Sequence, residues 1–413
     1  MLRDRRIWFM AGYGFVSGLP LLLSGYIFKL WLTEAHISLT IIGLTTYVGL
    51  AYSLKFVWAP VLDNPPPRPF RRLGRRRGWL AIVQPALILA TIGLALSNPA
   101  ERPAVSIAAA ALVAFCSASQ DIAVDAWRIE LFGPRDQGGA LAAYVWGYRV
   151  ALLVVTYGVI RVAGVVGWET GLLGVATLLM LGPLVTLFAP EPDLLSSGDR
   201  QALGFVARLR AAVIDPLLEF LVRPGAAAIL LFVALFKLGE AFAGLMTGPF
   251  YRALGFDLAT IANNAWFSLG GTLAGYAVGA WVVARIGVGR ALIATGWAQT
   301  LAMGMYVVLA RSPGLSTVLW ATVTTEAFAQ GMADAAFLTY LSGLCSHRFT
   351  ATQYALLSSV PALAIHTVGP WSGAVAAATG WFWFYVLSLL AALPAMALML
   401  LLLRRYPPTD AAA

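Results

Sequence analysis

Apolar runs of about twenty residues, parted by short polar breaks, recur along the whole chain. A bilayer core is crossed by a helix of about 20 mostly apolar residues. Twelve such segments are predicted, near 7–32, 39–62, 79–97, 104–131, 138–164, 169–189, 225–250, 258–284, 289–310, 314–344, 351–377 and 380–403. The longest break follows the sixth segment. Within it, apolar residues from Leu203 to Leu221 recur at helical spacing between Arg208, Arg210 and Glu219, which predicts an amphipathic surface helix. The pattern divides the chain into a six-helix bundle over 1–190, a cytoplasmic linker over 191–224 and a second bundle over 225–413. The expected fold class is all-α integral membrane, and an even number of spans puts both termini on one side. The basic start "MLRDRRIWFMAGYGF" looks like a secretory signal, but its apolar run is too long and lacks a convincing cleavage site. It reads as a retained first transmembrane helix.

Composition agrees. The chain is 60% hydrophobic and 11% charged, with a mean hydropathy of +0.79, whereas a soluble domain has about a quarter of its residues charged. The net charge of +9 and pI near 9.8 would raise nucleic-acid binding in a soluble protein. Here the arginines lie between apolar runs, and no nucleic-acid partner is expected. With the N-terminus inside, nineteen arginines fall in cytoplasmic segments and only Arg102, Arg252 and Arg311 fall opposite them. That asymmetry places both termini in the cytoplasm by the positive-inside rule. Two cysteines and three scattered histidines form no disulfide framework, zinc spacing or haem motif, so no metal or cofactor is expected.

The halves echo each other. "FCSASQD" ends at Asp121 and "FAQGMAD" at Asp334, 213 residues apart, and Arg135 and Arg348 repeat that offset. "GRRRGW" from Gly74 and "GRALIATGW" from Gly289 lie 215 apart. Parallel six-helix halves joined by a linker are the organisation of the major facilitator superfamily.

A more specific resemblance sits in "LKFVWAPVLDNPPP" and "LGRRRGW", with "SASQDIAVDAWRIEL", "WLTEAHISLTIIGL" and "GYRVALL" elsewhere in the first half. At Lys55, Phe56, Trp58, Ala59, Pro60, Asp63 and Gly74 to Trp79 the chain resembles the AmpG-type muropeptide permeases of that superfamily. The likeness is strong over residues 7–190 and mostly hydropathic afterwards. It implies a proton-driven permease (a symporter) of the bacterial inner membrane. The expected cargo is the anhydro-muropeptides released by peptidoglycan turnover, imported for recycling. A sister branch carries acetyl-coenzyme A, so another anionic solute such as a coenzyme A thioester or a folate-like compound stays open. In this family the loop's aspartate and arginines latch and release the cytoplasmic ends of the halves, which assigns gating roles to Asp63, Arg75, Arg76 and Arg77, with Arg128 alongside.

Ionisable side chains at bilayer depth cost several kcal/mol unless they are paired or face water, so each is a functional candidate. Counting at 1.5 Å rise per residue puts Lys55, Asp121, Arg149, Lys237, Glu240, Glu326, Asp334 and His366 near the midplane. Lys29, Asp125, Arg128, Glu130 and Arg161 fall nearer helix ends, where long side chains snorkel. Asp121, Asp125 and Arg128 share a helical face, as a structural ladder or a transport element. Gln120 and Asp121 suit sugar hydroxyls. Arg149, beside Tyr148, suits a carboxylate or phosphate, or else a buried partner for Asp121 or Asp125. Lys237 and Glu240 stand three apart and can pair. Expected substrate contacts are therefore Lys55, Gln120, Asp121, Tyr148, Arg149 and Lys237. Proton carriers are expected among Glu240, Asp121, Asp125 and Glu326. Trp168, Trp371, Trp381 and Trp383 read as interfacial belt residues, while Trp146 and Tyr144 are candidates for a pathway lining. No nucleotide-binding loop, nucleophile elbow or metal-ligand pair appears, so the chain is expected to be a monomeric carrier, not an enzyme. Its partners are solute, protons and membrane lipids.

Overall fold

The computed structural model describes residues 4–132, 137–192, 219–223, 225–344 and 350–405, with side chains undescribed at a few of these positions, Asp63 among them. All regular structure among the described residues is helical. Nine helical stretches there are long and apolar enough to cross a membrane, and Leu39–Leu54 is a shorter apolar one. The helix Ser316–Leu344 is 29 residues long and carries Glu326 and Asp334. Val360–Arg405 runs 46 residues, roughly twice what one bilayer crossing needs. Two helices meet inside it at Gly380, where φ is 76°. The amphipathic helix expected over Leu203–Leu221 lies almost wholly outside the described residues.

Two compact units divide the chain. One comprises Met1–Ser38, Thr45–Gln201 and Asp257–Ala262; the other comprises Leu39–Leu44, Ala202–Phe256 and Asn263–Ala413. The first has a core in which Tyr13 and Phe132 meet Trp127 edge-on, with ring centroids 5.0 and 6.1 Å away. Trp127 also donates its indole N–H to the Pro190 carbonyl at 2.8 Å. The second is packed around Phe232, Phe236, Phe337 and Tyr340.

Helix pairs close on glycine. A Cβ on Gly14 would lie 2.0 Å from the Tyr144 carbonyl oxygen, and one on Gly275 would lie 2.1 Å from that of Phe328. No side chain fits such distances, so small residues set these helix–helix approaches.

The internal repeat is sharper in three dimensions. Pro103–Leu131 and Ser316–Leu344 are both 29 residues long and start 213 apart, so Asp121 and Asp334 occupy the same place in each helix. Gly74 and Gly167 precede helices with φ of 96° and 109°; Gly287 and Gly380, each 213 further on, do so with φ of 79° and 76°. Gly74 therefore corresponds to Gly287, not to the Gly289 that textual similarity selects. The reason is conformational: the position before the helix needs left-handed-side φ, which glycine adopts without steric cost, whereas Gly289 is inside the helix Val288–Ala302.

Candidate functional site

In the second unit, Lys237 sits at a short interruption between the helices Ala226–Phe236 and Leu238–Gly244. Its ammonium lies 2.7 Å from Glu240 Oε2 and forms a second ion pair with Asp334 Oδ1. Glu240 is held at both oxygens, Oε1 by the amide of Gln330 and Oε2 by that of Gln299. The Tyr276 hydroxyl donates to Asp334 Oδ2 at 3.2 Å. Glu326 faces the Tyr306 hydroxyl and shares the field of Glu240, Lys237 and Asp334. Side chains of Lys237, Glu240 and Asp334 are only 14%, 12% and 20% exposed, so these charges interact largely out of water. A cavity of about 10 Å³, bounded by Glu240, Gln299, Thr300 and Met303, adjoins them; that is room for about one water. Glu240 and Asp334 thus share one ammonium, with Glu326 in the field of all three charges. Lys237, Glu240 and Glu326 are brought together as candidates, and sequence reasoning missed their clamp. Gln330 stands four residues before Asp334 on the same face, a signal present in "FAQGMAD". Gln299 and Tyr276 had no sequence signal beyond their polarity.

In the first unit, Asp121 is surrounded by Lys55, Asp125, Ser17 and Tyr144. Its Oδ1 is buried and has no hydrogen-bond partner among the described residues. Gln120 is fully buried and donates to Ser17 Oγ at 3.3 Å, so it braces Asp121's helix against the first helix. Lys55 Nζ lies 3.9 Å from Asp125 Oδ2, and Arg128 lies 3.6 Å from Asp125 Oδ1. Both pairs involve half-exposed carboxylate, where an ion pair contributes about 0–1 kcal/mol. Arg149 is exposed and makes no ion pair among the described residues; Asp125 is taken by Lys55 and Arg128 instead. Tyr144 and Tyr148 stand together, ring centroids 5.9 Å apart, and Tyr148 lies in the field of Asp121 and Arg149. Trp146 is 68% exposed.

The arginine-rich loop forms a third cluster, also in the first unit. Arg76 is 4% exposed and grips Glu130 with a two-point fork, Nη2 to Oε1 at 2.7 Å and Nε to Oε2 at 3.0 Å. Arg75 reaches the same carboxylate at 2.6 Å. The Glu191 carboxylate accepts from the backbone N–H groups of Arg76 and Arg77 at 2.8 and 3.0 Å, capping the helix Arg75–Ala95 where its dipole favours negative charge. Arg77 donates to the carbonyls of Thr186 and Leu187 at 2.8 and 2.7 Å, at the end of the helix Leu181–Phe188. The sequence pattern places Glu191 only in the linker and Glu130 only among the snorkelling residues near helix ends. Asp63's side chain lies outside the described residues.

One further expectation is corrected. Lys29 does not snorkel: it is 4% exposed, its ammonium donating to Thr46 Oγ1 at 2.8 Å. Trp168 stacks on Trp31, centroids 6.3 Å apart, and Trp381 packs against Phe250 and Phe384. Trp371 and Trp383 are 62% and 59% exposed.

The family model described as Major Facilitator Superfamily matches residues 9–365. The chain is 36% identical over 390 residues to the anhydromuropeptide permease of Escherichia coli (strain K12), covering 94% of this chain and 77% of that one. It is 32% identical over 407 residues to a protein named transporter AmpG 4 of Rickettsia conorii (strain ATCC VR-613 / Malish 7), covering 97% of each. Among solved structures, a bacterial homologue of the human lysosomal transporter Spinster, inward-facing and occupied, superimposes with a TM-score of 0.71 at 14% identity over 98% of both chains. A D-xylose-proton symporter does so with a TM-score of 0.69, also at 14% identity, over 95% of this chain and 96% of that one. At such identity these structures speak for the fold alone. The relatives are permeases and transporters rather than enzymes, and the chain belongs to the Major Facilitator Superfamily, in the branch of the AmpG-type anhydromuropeptide permeases.

Proposed function

We propose that this membrane protein is a proton-driven importer of anhydro-muropeptides. The single observation that carries the reading is the 36% identity to the Escherichia coli anhydromuropeptide permease over nearly the whole chain. Alternating access rocks residues 1–190 against 225–404, with six transmembrane helices in each half, around sites at membrane depth. The carrier lies in the bacterial inner membrane with both termini in the cytoplasm, in keeping with the arginine asymmetry.

The side chains divide the work. Arg149, Tyr148, Lys55 and Asp121 offer a guanidinium without an ion pair among the described residues, a phenol, an ammonium and a carboxylate to the anionic and hydroxyl groups of the disaccharide-peptide. A planar guanidinium suits fork-like capture of a carboxylate. Proton coupling belongs to the second half, where Glu240 and Asp334 share the Lys237 ammonium and Glu326 lies in their field. An excess of buried carboxylates over cations is the composition of a proton relay in a membrane. The arginine cluster on Glu130 and Glu191 holds the loop that gates the cytoplasmic end.

The test is uptake of labelled N-acetylglucosaminyl-anhydro-N-acetylmuramyl tetrapeptide into inverted or right-side-out vesicles, with and without an imposed proton gradient. Saturable uptake that follows the gradient is expected. Uptake of a coenzyme A thioester in preference to the muropeptide would replace the substrate assignment.

A further inference from the structure

The first helix of each half is interrupted at an equivalent place. In the first unit the helix Arg5–Leu21 gives way to Tyr26–Glu34 across four residues, with Gly25 at φ −121°, ψ −109°. In the second unit the first helix is interrupted at Lys237, which the 213-residue offset maps onto Ser24 and where the backbone stays near helical (φ −93°, ψ −8°), and again at Leu245–Met246. Non-helical backbone at membrane depth is tolerated where protein buries it or where it lines a cavity. In carriers built from repeats, such breaks mark the binding region.

Each broken helix carries a lysine, and the two are treated differently. Lys237 is neutralised by two carboxylates. Lys29, just beyond the first break, is as buried as Arg76 at 4% exposure, yet its ammonium meets only the Thr46 hydroxyl. No carboxylate lies within ion-pair distance of it among the described residues, and two of its three N–H donors have no acceptor there. Arg76, by contrast, has both oxygens of Glu130 and the Leu62 carbonyl. Burying a charge without a partner is strongly unfavourable. A sequence that retains one beside a helix break keeps it for something that arrives.

We propose that Lys29 is an anion-recognition residue of the transport path, whose ammonium receives a carboxylate of the solute as it passes the broken first helix. The solute's identity rests on the muropeptide reading above; the role of Lys29 rests on its burial, its single hydroxyl partner and the break. The class of ligand is a carboxylate because an ammonium with spare donors, flanked by a hydroxyl, recognises a compact oxyanion as a point charge.

The test uses the full-length chain purified in detergent and two variants, Lys29→Met and Lys29→Gln. The second keeps a donor for Thr46 without the charge and stands in if the first does not insert. Unfolding temperature is measured alone, with the anhydro-muropeptide tetrapeptide, and with the same compound after its carboxylates are converted to carboxamides. The expected result has three parts. Removing the charge raises the unfolding temperature of the ligand-free protein. The parent chain binds the carboxylate form more tightly than the amide form. The variants lose that discrimination, with affinity for the carboxylate form falling about tenfold to hundredfold, as for a lost charge-assisted hydrogen bond. A lower ligand-free unfolding temperature with discrimination intact would overturn the proposal and make Lys29 a structural residue. If the parent chain binds neither compound, the muropeptide reading fails. Lys29 is then judged on the ligand-free comparison, where a destabilised variant overturns its role and a stabilised one supports it.

Discussion

Replacing Lys237 by methionine removes the cation that Glu240 and Asp334 share, at nearly the same side-chain volume. The two carboxylates are not hurt equally. Glu240 keeps the amides of Gln299 and Gln330 on its two oxygens, while Asp334 keeps, among the described residues, the Tyr276 hydroxyl. Breaking a buried ion pair by deleting one partner costs about 3–5 kcal/mol, because the surviving charge is left in low dielectric. Lys237→Met should therefore fall in that range, with most of the loss at Asp334. The double variant Lys237→Met, Asp334→Asn should recover about 1–3 kcal/mol relative to additivity, the coupling seen for residues in one network. Pairing Lys237→Met with Glu240→Gln should recover less. The assay is unfolding by denaturant titration of the purified protein in mixed micelles, run as a double-mutant cycle. A Lys237→Met cost under about 1 kcal/mol with strict additivity in both cycles would refute the argument that this lysine neutralises the cluster.

Other outcomes follow from the same geometry. Arg149→Gln should leave stability within about 0.5 kcal/mol, as for exposed positions without partners, while substrate uptake falls; loss of folded protein instead would mean that Arg149 is structural. Glu130→Gln strips the fork from buried Arg76 and should lower stability by about 1–3 kcal/mol, with Arg75→Gln costing less because Arg75 is 26% exposed. Gly275→Leu should prevent accumulation of folded protein in the membrane, since its Cβ would lie 2.1 Å from the Phe328 oxygen; normal yield by fluorescence size exclusion would contradict the close helix approach.

Much of this was legible in the residues. Span positions are written as apolar runs because lipid permits little else, and Asp121 and Asp334 announced the repeat through the residues around them. The ion pair of Lys237 with Glu240 follows from i,i+3 spacing alone. The remainder depends on contacts between distant helices, which spacing within one helix does not encode. Gln299 meets Glu240 across 59 positions and Arg76 meets Glu130 across 54. Neither partner stands out by composition. Lys29 was misread for a physical reason: distance from a helix end, counted along one helix, says nothing about whether a neighbouring segment covers the side chain. Here Thr46 and its surroundings do. Gly289 was chosen over Gly287 because letter similarity weighs residues, whereas the fold weighs φ.

The central claim is that this chain moves anhydro-muropeptides at the expense of a proton gradient, and one measurement addresses it most directly. Purified protein reconstituted into liposomes is loaded against labelled N-acetylglucosaminyl-anhydro-N-acetylmuramyl tetrapeptide, with an imposed proton gradient, with a collapsed one, and with Glu240→Gln in place of the parent chain. The account predicts saturable accumulation above equilibrium only for the parent chain under a gradient, with gradient-independent exchange at most in the variant. Equal accumulation in all three preparations, or none from the parent chain in liposomes where it is shown to be folded, would contradict it.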